Sequence, residues 1–144
     1  MKTSKKILLI TSEFPPQPGG IGNHAFNLAS QLQLNGYSVT VMADERSNDG
    51  IAEKLYDSAL PFKVFRIKRY RVLIWTYLMR ILVYTRNSNK YSTIIASGKF
   101  PLWLVGLGFF LNKHKKIAVI HGSEVNLYGI YKQLTNKALR NFDT

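Results

Sequence analysis

The sequence predicts an α/β domain: a doubly wound, mainly parallel sheet of about five strands in the order 3-2-1-4-5, with helices on both faces. Three observations carry that expectation. Short apolar runs alternate with longer segments of helical period. The runs are apolar on both sides, as strands covered by helices must be. The 144 residues are 46% hydrophobic, enough for one compact domain with its own core.

Each element has its own signal. Ile7–Thr11 is a continuous apolar run and the first strand. Ile21, Ala25, Leu28, Ala29 and Leu32 recur on one face of a helix, with Asn23, Asn27, Ser30 and Gln31 on the other. Asn35-Gly36 is its stop signal. Tyr37–Ala43 is β-branched and strand-like, and Asp44–Pro61 is a polar loop with one short helix near Ile51–Tyr56. Phe62–Ile67 is the third strand. Tyr70–Thr85 is a helix whose polar positions, Arg69, Thr76, Arg80 and Asn87, form a narrow stripe on an otherwise apolar and aromatic surface. Tyr91–Ser97 is the fourth strand. Pro101 suits the first turn of a helix running to Leu111, and Lys113, His114, Lys115 and Lys116 complement the negative end of its dipole. Ile117–Ile120 is the fifth strand, and Tyr131, Leu134, Ala138 and Phe142 give the last helix one apolar stripe. That helix stops where a next strand is due, which predicts the front part of a longer protein.

Charge is the next constraint. The formal net charge is +12, and no Asp or Glu occurs between Ser58 and Ser123. A one-sign region attracts polyanions: nucleic acid, anionic lipid or phosphorylated substrates. No nucleic-acid reader motif is present, so no specific nucleic-acid partner is expected, and a basic nucleic-acid module stays an alternative on charge alone. There is no cysteine, and His24, His114 and His121 lack ligand spacing, so no metal is expected. No Gly-x-Ser-x-Gly elbow points to hydrolysis. The apolar run after the basic start is only about four residues, too short for a signal peptide, which predicts a cytoplasmic protein. Val72–Thr85 and Phe100–Leu111 are shorter than the roughly 20 residues a membrane span needs. Arg66–Arg86, which interleaves bases with Tyr70, Trp75, Tyr77 and Tyr84, suits either an anionic membrane surface on the inner face or packing against its own sheet.

Ligands of such sheets bind outside the carboxyl ends of the strands. Three loops lie there: Ser12–Gly22, Ser97–Phe100 and His121–Asn126. In the first, Gly19, Gly20 and Gly22 precede or open a helix whose free amide groups favour a negative ligand. Gly20-x-Gly22-x-x-Ala25 also matches the dinucleotide fingerprint, with Asp44 near the ribose-binding position, so an NAD-type domain is a rival. Against it, Ser12–Gly19 with three prolines, a projecting and stiffened loop, separates strand from glycines, where the fingerprint needs a tight turn.

Phe14-Pro-Pro-Gln-Pro-Gly-Gly-Ile-Gly-Asn-His-Ala-Phe-Asn-Leu-Ala29, followed by Asn35-Gly-Tyr-Ser-Val-Thr-Val41, resembles the opening of GT4-type glycosyltransferases of the GT-B fold. Ile120-His121-Gly122-Ser123-Glu124 is similar to that family's His-Gly-x-Glu/Asp after the fifth strand. The resemblance spans essentially 1–144 as an N-terminal, acceptor-side Rossmann-like domain, with the C-terminal donor-binding domain absent. It implies a retaining transferase moving a sugar from a nucleotide-sugar donor to a saccharide or lipid-linked acceptor, as in surface polysaccharide assembly. No cofactor is implied, the nucleotide-sugar being substrate. Glu45 and Glu53 share the family's Glu-x7-Glu spacing, but that signature belongs to the second domain, so here it is coincidental.

His121 is the candidate catalytic residue, its imidazole suited to a sugar hydroxyl. Gly19, Gly20, Gly22, Asn23, His24, Ser97, Lys99, Gly122 and Glu124 are the candidate donor- and acceptor-binding positions. Lys99 suits a phosphate. Glu124 can orient the imidazole, accept from an acceptor hydroxyl or cap the following helix. His114, within a lysine cluster, reads as solvated surface.

Overall fold

A computed structural model describes residues 5–108, 114–122, 124 and 126–144. Five strands, β1 (Lys6–Thr11), β2 (Ser38–Glu45), β3 (Lys63–Lys68), β4 (Thr93–Ser97) and β5 (Lys115–Val119), form one parallel sheet in the order β3-β2-β1-β4-β5. Helices α1 (Gly20–Leu34), α2 (Ile51–Ser58), α3 (Leu73–Asn87), α4 (Lys99–Leu107) and α5 (Gly129–Leu139) connect and follow them. This is the doubly wound, Rossmann-like arrangement the alternation predicted.

Strand alternation builds two cores. Ile7, Leu9, Val39, Val41 and Ala43 face Ala25, Ala29, Phe14 and Phe62 on one side. Leu8, Ile10, Met42, Ile94 and Ala96 face Tyr84, Leu102 and Val105 on the other. The register sets Thr11, Ser97 and Val119 side by side, so the loops after β1, β4 and β5 leave from one end of the sheet.

Three local features differ from the expectation. The loop after β1 does not simply project: Phe14 is fully buried and edge-on to Phe62, and Pro15 is buried behind it. Arg66 clamps this half of the loop, donating to the Pro15 carbonyl at 2.6 Å and pairing with Asp57 at 2.7 Å, its guanidinium 5.3 Å from the centre of the Phe14 ring. Only the stretch from Pro16 to the glycines lies at the surface. The second difference lies in α5: Ala138 is buried and Leu134 and Phe142 half-buried, as the stripe predicts, but Thr135 is buried too and Tyr131 is 54% exposed. Trp103 of α4 accounts for both, its Nε1 donating to Thr135 Oγ1 at 2.9 Å and its ring stacking on Tyr131. A side chain at Gly106 would stand 2.5 Å from the Ala138 carbonyl oxygen, so the two helices touch backbone to backbone there. The fourth helix, expected to run to Leu111, ends at Leu107 with Gly108 extended after it, and Lys115 and Lys116, expected at its end, lie in β5; Lys113 lies outside the described residues.

The third difference is the largest. The polar stripe of α3 faces inward: Thr76, Arg80 and Tyr84 are buried, while Leu73, Ile74, Trp75, Leu78, Ile81 and Leu82 are exposed. Asp44, 2% exposed at the end of β2, explains the inversion. A carboxylate buried there needs a partner. Arg80 Nε reaches Asp44 Oδ1 at 3.0 Å, and its Nη2 donates to Oδ2. The guanidinium is also stacked 4.3 Å over Phe100. Burial pushes the Asp44 carboxyl above its ordinary range, and this outweighs Arg80, Arg69 and Arg46, which pull it down.

The polar loop after β2 has its own anchor. Glu53, 1% exposed on α2, accepts the Arg46 and Ser47 amides at 2.9 and 2.7 Å and the Ser47 hydroxyl. Burial alone would raise its carboxyl, but these donors prevail and hold it at about 2. The coincidental Glu45/Glu53 spacing thus has a structural use for Glu53.

Two outcomes follow. Arg80→Ala, which strands a buried carboxylate, is expected to cost about 3–5 kcal/mol in urea unfolding, with Asp44→Asn/Arg80→Met costing less. For Glu53 the folded value lies below the unfolded one, so its stabilisation is complete above about pH 4.5 and fades as pH falls toward 2. The shift from 4.5 to about 2 corresponds to roughly 3 kcal/mol. Wild type should therefore lose more stability than Glu53→Gln over that window; parallel pH profiles would contradict this.

Candidate functional site

The site stands where β1, β4 and β5 end. α1 begins at Gly20, and Asn23 donates the first backbone bond back to the Gly19 carbonyl. The amides of Gly20, Ile21 and Gly22 therefore have no partner within the helix and point out of its positive end. Gly19 is extended, and Gly20 has nothing within 4 Å of where a side chain would start. Gly22 differs. A Cβ there would sit 3.1 Å from the Phe14 nitrogen and 3.2 Å from the Glu13 carbonyl carbon, so α1 rests directly on the loop backbone.

His24, one turn into α1, is exposed and lies edge-on to His121, ring centres 5.0 Å apart. On its other side His121 meets Ser97, whose Oγ is 2.8 Å from Nε2. Ser97 is fully buried at the end of β4. Engagement of Nε2 leaves Nδ1 as the ring nitrogen for a ligand. The His121 backbone amide donates to Glu124 Oε2 at 2.8 Å, so Glu124, 4% exposed, holds the loop rather than the imidazole ring. Glu124 Oε1 is buried without a hydrogen-bond partner among the described residues. Gly122 adopts a φ of +72°, the left-handed turn that lets the chain double back from His121 to Glu124. Ser123 lies outside the described residues.

The predicted residues divide by place. Gly20, Gly22, His24, Ser97 and His121 converge, and Gly19 and Glu124 shape the loops that carry them. Asn23 is exposed on the first turn of α1. Lys99 opens α4, and its ammonium lies over Trp103 and Tyr131, 5.7 and 5.8 Å from the ring centres. Those two rings stack at 5.9 Å and 6°. Sequence reasoning missed this aromatic pair; Trp103 and Tyr131 belong to different helices, and no local period links them. His114 donates its Nδ1–H to the Tyr91 carbonyl, 2.7 Å away, and is half-buried rather than solvated. Asp44, the ribose-binding position of the rival reading, is engaged by Arg80. A depression of about 390 Å³ opens at the opposite end of the sheet between Lys6, Ser38, Phe62 and Tyr91, away from these residues. Among the described residues no cluster of His, Asp and Glu is arranged to hold a metal ion.

The two glycines separate packing from function. Gly22→Ala should lower stability by about 1–3 kcal/mol, because the atoms it meets are backbone and must move. Gly20→Ala should leave the urea midpoint unchanged or raise it slightly. Equal losses for both would show that the Gly22 contact carries no special cost.

No curated protein matches the chain. The model of the family described as Glycosyltransferase Family 4 matches residues 18–144, from the glycine loop through the His121-Gly122 turn to the last helix. With that match over most of its length, and with both quoted motifs at the strand ends where the site forms, the chain belongs to Glycosyltransferase Family 4.

Proposed function

We propose that this chain forms the acceptor-side wall of the cleft of a retaining glycosyltransferase that moves a sugar from a nucleotide-sugar to a saccharide or lipid-linked acceptor, in surface glycan assembly. The observation that carries this reading is the meeting of the open amide end of α1 with His24, His121 and Ser97. The amides suit phosphate oxygens. Nδ1 of His121, its ring held through Nε2 by Ser97, suits a sugar hydroxyl. A second Rossmann-like domain would hold most of the nucleotide, and the enzyme would work at the cytoplasmic face.

The test is titration of the chain with nucleotide-sugars, sugar phosphates and saccharides, followed by amide NMR. Shifts centred on Gly20–Gly22, Ser97 and His121 are expected, and His121→Ala should weaken binding at least tenfold, about 1.4 kcal/mol. Tight NAD binding at the same amides, with no response to any sugar ligand, would overturn the reading. Sugar transfer by the 144-residue chain alone would overturn the half-cleft assignment.

A further inference from the structure

The inverted helix α3 leaves an apolar face outside, and the structure assigns that face to an anionic bilayer surface, on which α3 lies flat. This inference stands on α3 and its rim and does not depend on the transferase reading.

Four observations carry it. Ile74, Trp75, Leu78, Ile81 and Leu82 are 43–61% exposed, and all fall on the side opposite Thr76, Arg80 and Tyr84. With the polar stripe consumed by Asp44 and the Tyr70 amide, nothing polar remains to soften this face except Thr85 near its middle. Second, the rim is basic: Lys68, Arg69 and Arg71 are exposed before the helix and Arg86 in its last turn. Third, only Arg69 of that rim meets an acid, its Nε 3.7 Å from Asp44 Oδ2, and Asp44 is already held by Arg80. No acid occurs from Ser58 to Ser123, and Asp57 pairs with Arg66, so Lys68, Arg71 and Arg86 have no ion-pair partner among the described residues. A protein partner presenting only apolar groups would leave Lys68, Arg71 and Arg86 unmatched, whereas an anionic lipid surface matches both the face and its rim. Fourth, the exposed aromatics Tyr70 and Trp75 sit at the start of the helix, beside the Arg cluster, where amphipathic rings suit the headgroup level.

Dimensions exclude crossing. The 15 residues of α3 span about 22 Å, short of the roughly 30 Å hydrocarbon core, and no described helix is long and apolar enough to cross a membrane. Lying in the interface, α3 would bring the carboxyl end of the sheet close to the bilayer, because its first turn follows the end of β3 on the same side as His121.

The experiment is co-sedimentation of the whole chain with two kinds of vesicle, phosphatidylcholine alone and phosphatidylcholine mixed with phosphatidylglycerol. Binding to the mixed vesicles is expected to exceed binding to phosphatidylcholine at least tenfold and to fall as salt rises. Trp75→Ser/Leu78→Ser/Ile81→Ser should abolish it while the circular dichroism spectrum stays native, since all three side chains are exposed. Lys68→Gln/Arg71→Gln should weaken binding to the mixed vesicles by about fivefold per charge, leaving the weak phosphatidylcholine binding unchanged. Binding that ignores phosphatidylglycerol, or that survives the triple substitution, would overturn the proposal. So would a concentration-dependent dimer in sedimentation velocity that the triple substitution dissolves while vesicles go unbound, since the occupant would then be a second copy.

Discussion

Asp44 is buried at the carboxyl end of β2 and Arg80 comes to it from α3, and much of the molecule's outer form follows from that pair. A carboxylate 2% exposed cannot remain unpaired without a cost of several kcal/mol. Arg69, before α3, approaches it only to 3.7 Å and stays half exposed, so the close buried partner comes from turning the polar stripe of α3 toward the sheet. Arg80 then stacks on Phe100 and Tyr77, which ties α3 to the start of α4. The consequence is an apolar face left outside. An amphipathic helix normally hides its apolar side; here electrostatics at one buried site overrules that preference for a whole helix.

A second clamp works at the same end of the sheet. Arg66 joins Asp57, the Pro15 carbonyl and the Asp44 carbonyl, and so binds the glycine-rich loop to β2 and β3. Phe14 fills the core beneath it, and Gly22 lets α1 rest on the same backbone. The loop that presents the free amides of α1 is therefore held from below, from the side and from behind. Such a site needs little reordering when a ligand arrives. The other half is held from β4 and β5: Ser97 fixes the imidazole ring and Glu124 fixes the turn that carries it.

The position of nearly every strand and helix was legible in the chain, because each depends on a local period or stop signal. Ile7–Thr11 is an uninterrupted apolar run, and Asn35-Gly36 ends α1 where expected. The candidate site was legible to the extent that it obeys a rule of parallel sheets: loops after β1, β4 and β5 share an end, so Gly20, Ser97 and His121 had to be neighbours. Contacts between side chains from distant segments were not legible. Neither the Trp103–Tyr131 stack under Lys99 nor the edge-on meeting of His24 with His121 leaves a mark on spacing.

By itself, the sequence determined the fold class, the strand order and the end of the sheet where the candidate site residues meet, because backbone periodicity and crossover rules act along the chain. Only the tertiary structure decided orientation about each helix axis. Gly106 against Ala138 set how closely α5 packs on α4, and Asp44 turned α3. A hydrophobic stripe states that one side of a helix will be buried, but which side is settled by the energy of what lies opposite. For α3 that was an unpaired carboxylate thirty-six residues away, whose need for a cation exceeded the gain from hiding the apolar face.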